Sequence, residues 1–212
     1  MSAAPGFSDA RRAARQAAAT ALAEGGKPAA AARAAIAATD SFFQTLRQFM
    51  PLDAMLARLA CAAGCSWCCR QMVGVTEAEL ALLGEAVAAL PPERRDAIRR
   101  RAVDTIRRAR GLDMAGWWAA QIPCPLLDED GLCAVHQNRP LPCRGYNSAD
   151  ADICRRSAAG ESLKAPVLAA QHGVWGQTQG GLAEALAAAG HAPGLRLLAE
   201  GVERLFTSPA GP

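Results

Sequence analysis

The sequence predicts a mostly α-helical fold with a small, irregular, cysteine-rich centre that contains a β-hairpin. Apolar residues make up 51% of the chain but aromatic residues only 5%, and the alanine that supplies much of the difference favours helices over sheets. Helix start and stop signals recur along most of the chain. The eight cysteines fall in two segments where prolines and turn residues interrupt the helical pattern.

The first two helices are predicted over residues 8–24 and 28–50. A Gly-Gly pair that begins at Gly25 follows the first of them, and glycine is typical of a helix C-terminus. Pro28 suits the first turn of the second helix, which is expected to end before Pro51.

Further elements follow from capping residues and helix breakers. A short helical stretch is predicted over residues 52–59, and residues 73–75 are expected to be extended. Thr76 and Glu79 have the spacing of a capping box, in which a hydroxyl and a carboxylate each accept from the other residue's backbone amide. Helices are predicted over residues 77–90, 93–110, 165–178, 182–189 and 193–206, and Trp117–Trp118 is assigned to a linker.

Charge and hydropathy narrow the class of protein. The formal net charge is only +3, which gives little support for a nucleic-acid partner. Eight arginines lie between Arg94 and Arg110, but acidic residues dilute them and no aromatic residue separates them, so a solvated helix face is the preferred interpretation. No apolar run approaches the roughly 20 residues that span a bilayer. Charged residues replace the apolar stretch of a secretory signal, so the cytoplasm is the expected compartment.

In a reducing compartment, a chain this rich in thiols is more often a metal-binding or redox protein than a disulfide scaffold. The two cysteine segments hold four thiols each: Cys61, Cys65, Cys68 and Cys69 in the first, and Cys124, Cys133, Cys143 and Cys154 in the second. Close spacing lets two thiolates approach one ion at little cost in chain entropy. The sequence therefore predicts a centre that holds zinc or an iron–sulfur cluster, and leaves the metal open.

The surroundings of the cysteines suggest how they converge. Gly64 permits a tight turn within the first segment, and Asp130–Gly131 predicts a turn between two short strands that carry Cys124 and Cys133. The prolines before Cys143 are expected to keep that approach extended. The arginines expected to offset thiolate charge are Arg70, Arg144, Arg155 and Arg156. Because Cys68 and Cys69 are adjacent, their side chains diverge, which favours more than one metal atom.

The run CAAGCSWCC, followed by CPLLDEDGLCAVHQNRPLPCRGY, resembles the YkgJ-type cysteine-cluster (CxxCxxCC) family of zinc- or iron-chelating domains. One departure is that three residues, not two, separate Cys61 from Cys65. The resemblance implies that the ligands are Cys61, Cys65, Cys68, Cys69, Cys124, Cys133 and Cys143; Cys154 is added on spacing alone. A similar cluster in flagellin lysine methylases is associated with an iron–sulfur centre. This likeness supports the metal, not the reaction.

We expect residues 1–40 to form a helical arm and residues 41–206 a metal-binding domain with its motif core at 55–155, followed by a tail at 207–212. The leading hypothesis is a metal-binding protein, with metal ions as its partners. The alternatives are a metal- or cluster-dependent enzyme that modifies proteins or does redox chemistry, and a nucleic-acid-interacting module. His136 is interpreted as a surface residue, Asp128–Asp130 as a turn, and Tyr146 and Asp150 as supports for the centre.

Overall fold

The computed structural model describes residues 4–207, and within them the protein is mostly α-helical, as the sequence predicts. The elements of this part, in chain order, are α1 (Phe7–Ala23), α2 (Pro28–Leu46), α3 (Leu52–Leu56), a 3-10 helix (Trp67–Arg70), β1 (Gly74–Val75), α4 (Glu77–Ala88), α5 (Pro92–Ala109), α6 (Met114–Ala119), a 3-10 turn (His136–Asn138), α7 (Leu141–Gly145), α8 (Ala151–Ala158), α9 (Ala169–Ala188), β2 (Arg196–Leu197) and α10 (Leu198–Thr207). None of the helices in this range is long and apolar enough to cross a membrane.

Helices α1 and α2 pack against α9 through buried alanines such as Ala14. The backbones approach so closely that a Cβ on Gly181 of α9 would lie 2.2 Å from the carbonyl oxygen of Arg11. The Gly-Gly pair in α9 therefore serves helix packing and α9 is continuous, so the prediction of separate helices over residues 165–178 and 182–189 is wrong. The expected division of the chain at residue 40 stays a prediction.

A second core lies between α4, α5 and α10, under a two-stranded antiparallel sheet. The sheet pairs Gly74 of β1 with Leu197 of β2, which confirms the predicted extended conformation of residues 73–75. The prediction that a helix begins at residue 193 is wrong, because Gly194 adopts a φ of +94° and the next residues pair with β1 before α10 begins. Partly buried Cys124 and Cys133 pack against this core.

Three short helices carry or precede the second cysteine segment, and the sequence pattern did not predict them. Asp113 caps α6 by accepting from the Gly116 amide at 2.8 Å, so the predicted linker around Trp117 is helical. The approach to Cys143 is extended as predicted only at Arg139 and Pro140, and Cys143 itself lies within α7. Helices of one or two turns are too short to show an apolar repeat, which explains both errors.

The longer helices lie close to their predicted positions. Helix α2 ends at Leu46 instead of residue 50, in a turn that precedes Pro51. Helix α4 begins with the predicted capping box, in which Thr76 Oγ1 accepts from the Glu79 amide at 3.2 Å and Glu79 Oε2 accepts from the Thr76 amide at 2.8 Å. This cap fixes the start of α4 next to β1 and the cysteine-bearing helix α7.

Candidate metal centre

The first cysteine segment combines a turn with a 3-10 helix. The Cys65 amide donates to the carbonyl oxygen of Ala62 at 3.0 Å, and Gly64 occupies this turn with a φ of +85°. A non-glycine residue would be strained there, so the glycine is what permits the tight reversal between Cys61 and Cys65. The 3-10 helix that follows holds the adjacent pair Cys68–Cys69.

The hairpin of the second segment forms with less regular pairing than predicted. Its two short strands are reduced to one antiparallel bridge between Leu127 and Cys133. Gly131 is at the turn with a φ of +74°, and a Cβ at this position would lie 3.1 Å from the carbonyl oxygen of Gly64. The two glycines that turn the chain therefore meet, and this contact brings the hairpin tip onto the turn of the first segment.

A second contact joins the segments near the base of the hairpin. The Cys124 amide donates to the carbonyl oxygen of Cys69 at 2.7 Å, and an Arg70 Nη1 donates to the carbonyl oxygen of Gln121 at 3.2 Å. Because these residues are more than 50 positions apart in the sequence, the bonds fix the two cysteine segments relative to each other. Arg70 thus helps to dock the segments, and its expected role as a counter-charge to thiolates stays a prediction.

Helix α5 holds the outer side of the hairpin through two of its arginines. Asp128 forms ion pairs with Arg94 and Arg101, the latter at 2.8 Å, and Arg101 Nε also donates to the carbonyl oxygen of Pro125 at 2.9 Å. Asp128 is a turn residue, as predicted, and its side chain is only 19% exposed. The interpretation of α5 as a purely solvated basic face missed this role, since nothing in the local pattern shows which arginines face a carboxylate distant in sequence.

Cys143 lies on α7, which a buried carboxylate fixes at its first turn. Glu79 is only 3% exposed and accepts from the Leu141 amide at 2.8 Å, from the Thr76 hydroxyl at 2.9 Å and from Gln179 Nε2 at 3.0 Å. Burial raises the pKa of Glu79, and these hydrogen bonds oppose the shift. The sequence identified Glu79 only as a capping residue; its bonds to α7 and α9 could not be inferred from local spacing.

Ser148, which precedes the helix that carries the last cysteine, connects this part of the chain to the first cysteine segment. The Ser148 amide donates to Cys61 Sγ at 3.2 Å, and the Ser148 carbonyl oxygen accepts from the Ala60 amide at 2.9 Å. Asp150 then caps α8, which carries Cys154, by accepting from the Ile153 amide at 2.9 Å. Cys154 is buried, whereas each of the other seven cysteines is partly buried.

The pKa shifts reveal two sets of neighbouring thiols. We call Cys124, Cys133 and Cys143 the hairpin group: burial is the main cause of the raised pKa of each, to about 12 for Cys143, and at least one other thiol adds to each shift. We call Cys61, Cys65 and Cys154 the turn group. Burial, then Cys61, raises the pKa of Cys65, and Cys68 and Cys154 add to it.

The pair Cys68–Cys69 lies between the two groups. A hydrogen bond to Cys69, then burial, raises the pKa of Cys68. Cys68 in turn raises the pKa of Cys143 in the hairpin group and of Cys65 in the turn group. Thiolates placed this closely would repel one another, and a cation among them would relieve that repulsion.

The cation next to the hairpin group is Arg139. Its charge lowers the pKa values of Cys68, Cys133 and Cys143, against the effect of burial. Of the arginines expected in this role, Arg155 and Arg156 instead form exposed ion pairs with carboxylates of their own neighbourhood. Arg144 donates to the carbonyl oxygen of Arg139 at 3.0 Å and lies 5.6 Å from the centre of the Trp175 ring.

The remaining candidates lie around the centre. His136 is exposed, as predicted, and its Nε2 lies 3.0 Å from an Arg139 nitrogen, so that Arg139 is the main cause of its lowered pKa. The Tyr146 ring packs edge-on against His172, with 6.0 Å between ring centres. Within residues 4–207, no three His, Cys, Asp or Glu side chains already stand in an arrangement that would hold a metal ion. The donor set nevertheless fits a thiophilic metal, because all the candidate ligands are thiols and backbone contacts join the two segments that carry them.

The fold and these contacts define a class: a helical protein in which backbone contacts join two irregular segments that carry eight free cysteines. Residues 60–164 match the family model CxxCxxCC, described as a "putative zinc- or iron-chelating domain", which confirms the resemblance of the two cysteine segments to that family. The matched range contains all eight cysteines. No curated protein and no solved structure matches the chain.

Proposed function

We propose that this protein chelates metal through its cysteines in two thiol centres. The hairpin group would form one centre and the turn group the other, and each would be completed by one thiol of the pair Cys68–Cys69. Three thiols and one more give each centre the four ligands of a closed zinc site or of an iron–sulfur cluster.

The observation that carries the proposal is the electrostatic coupling of thiols that are distant in sequence. Cys143 is coupled to Cys68 and Cys133, and Cys65 is coupled to Cys61 and Cys154. The backbone bond from Cys124 to Cys69 supports the first set independently, and the bond from Ser148 to Cys61 supports the second. Cys68 and Cys69 are hydrogen-bonded to each other in the 3-10 helix, and we propose that metal binding replaces this bond so that each thiol serves its own centre.

Zinc and iron–sulfur ligation would give the protein different roles. Zinc held by four thiolates stabilises a fold and leaves no open position for chemistry. An iron–sulfur cluster supplies electron transfer when bound. Two residues of the protein would act in the same way with either metal. Arg139 offsets thiolate charge at the hairpin group, and the Ser148 amide donates to Cys61.

The test is to purify the full chain without oxygen, measure zinc, iron and acid-labile sulfide per chain, and record the visible spectrum. Matched iron and sulfide with visible absorption would establish clusters. Two zinc ions per chain in a colourless protein would establish closed thiolate sites. Cys143→Ser and Cys154→Ser should each lower the metal content by removing one centre and leaving the other. A protein that binds no metal under these conditions would overturn the proposal.

A further inference from the structure

A cleft next to the thiols is the strongest candidate for a second functional feature. It has a volume of about 320 Å³, and Cys68 and Cys154 form part of its wall. The lining comes from the 3-10 helix and the two residues after it, from α6, α8 and the segment before α9, and from Tyr146. A cleft of this size is within the range of sites for small organic molecules.

Five of the thirteen residues that line the cleft are aromatic or methionine. Trp67, Trp118 and Tyr146 contribute aromatic surface, and Met72 and Met114 contribute flexible thioethers. Met114 is 70% exposed, so it lies at the rim. Aromatic rings and thioethers pack well against flat apolar molecules and adapt to their shape.

The charge of the cleft comes from a single residue. Lys164 is exposed, lines the cleft, and forms no ion pair with any of the residues that the structure describes. None of the described lining residues is acidic. The arginines of the adjacent α8 differ in this respect, because Arg155 pairs with Asp152 and Arg156 with Glu161. Apart from the thiols of Cys68 and Cys154, the cleft therefore presents a largely apolar wall and one positive charge with no acidic partner in its lining, which favours an anion over a neutral or cationic molecule.

We propose that this cleft binds a small organic anion with a flat apolar body, of the class of aromatic carboxylates. The carboxylate would pair with Lys164, the ring would pack between Trp67 and Trp118, and the bound molecule would reach the wall that holds Cys68 and Cys154. The part of this inference in which the bound molecule reaches a metal centre rests on the proposed function. Binding of the anion in the cleft does not depend on a metal.

The test uses the full-length protein as purified without oxygen, titrated by calorimetry with phenylacetate, phenylacetamide and phenethylamine. These probes share a ring and differ in charge. Phenylacetate should bind with one saturable site, and the other two more weakly. Lys164→Gln should weaken phenylacetate binding about two- to fivefold, the value of a solvent-exposed ion pair, and Trp118→Ala should weaken it about tenfold or more.

Lys27→Gln is the matched control, because Lys27 is the only other lysine of the chain, is exposed, and lies at the start of α2 away from the cleft. It should leave phenylacetate binding unchanged. Equal binding of the three probes, or equal effects of the two lysine substitutions, would overturn the proposal.

Metal analysis of the same samples separates the two proposals. If protein that contains no metal binds phenylacetate in a way that depends on Lys164, the proposed binding cleft is supported and the proposed metal centre is refuted. If metal-loaded protein does not bind phenylacetate, only the proposal of a binding cleft is refuted. Metal-loaded protein that binds should also show a change in its metal spectrum, recorded with Co²⁺ in place of zinc or on the native cluster, because the candidate ligands Cys68 and Cys154 line the cleft.

Discussion

Glu79 accepts a hydrogen bond from the backbone amide of Leu141 at 2.8 Å, although 62 positions separate the two residues. Leu141 begins α7, the helix that carries Cys143. The same carboxylate accepts from Gln179 of α9, so one buried side chain joins the start of α4 to two other helices. The position of a candidate ligand therefore depends on a residue that is not itself a candidate ligand.

We expect Glu79→Gln to destabilise the fold and to weaken metal binding at Cys143. A glutamine places an NH₂ donor where the carboxylate now accepts, so one of the surrounding donors loses its partner at a cost of about 1–3 kcal/mol. The measurement is the free energy of unfolding together with metal affinity. Glu77→Gln, an exposed glutamate in the first turn of the same helix, is the control and should change neither. Equal effects of the two substitutions would refute this role of Glu79.

Two glycines of α9 should respond in opposite ways to alanine. A Cβ at Gly181 would meet the carbonyl oxygen of Arg11 at 2.2 Å, so Gly181→Ala should push α1 away and destabilise the protein by about 1–3 kcal/mol. A Cβ at Gly176 meets no atom within 4 Å, and Gly176→Ala should stabilise the same helix by up to about 1 kcal/mol. Thermal unfolding measures both. If both substitutions stabilise, the close approach of α1 and α9 is wrong.

The sequence predicts those features that depend on short-range signals. The capping box of Thr76 and Glu79 marks the start of α4, and the Asp130–Gly131 turn marks the hairpin, because each signal lies within a few residues of the structure it specifies. Cysteine spacing likewise singles out the two segments, and the family match agrees with that selection.

Features that depend on packing between distant elements could not be predicted in this way. The pair Gly180–Gly181 has the composition of a helix end, yet it lies inside α9 because a second helix crosses it closely. Arg101 looks like any other arginine of α5 until Asp128 is placed beside it. In both cases the structure depends on which distant residue packs against the side chain or backbone, and the local sequence pattern carries no information about that residue.

The ion pairs of Asp128 should matter for the hairpin and hence for the hairpin group. We expect Asp128→Asn to weaken the bonds to Arg94 and Arg101 and to lower stability by about 1 kcal/mol, with a smaller metal affinity as a result. A double-mutant cycle with Arg101→Gln should show coupling between the two residues. Asp130→Asn, at an exposed position of the same turn, is the control. Additive effects in the cycle would show that the Asp128–Arg101 pair does not stabilise the hairpin.

Metal binding by the hairpin group should release protons even at high pH. The pKa values of its thiols and of Cys68 are raised, so in the metal-free protein these groups hold their protons to higher pH than ordinary thiols do. A thiol of ordinary pKa, about 8.5, is already mostly thiolate at pH 9. A Zn²⁺ ion that binds these four thiols should thus displace more protons at pH 9 than it would from four ordinary thiols, and its apparent affinity should still rise with pH above 8.5.

The experiment is calorimetry of Zn²⁺ binding to reduced, metal-free Cys61→Ser/Cys154→Ser protein, which retains the hairpin group, in buffers of different ionisation enthalpy. Ordinary thiols would release only about one proton per ion at pH 9, since most of their protons are already lost. That result would mean that the four thiols are not the buried, mutually repelling set that we assign to one centre. Release of clearly more protons than this at pH 9 would tie the metal to these thiols, because their burial and proximity raise their pKa values.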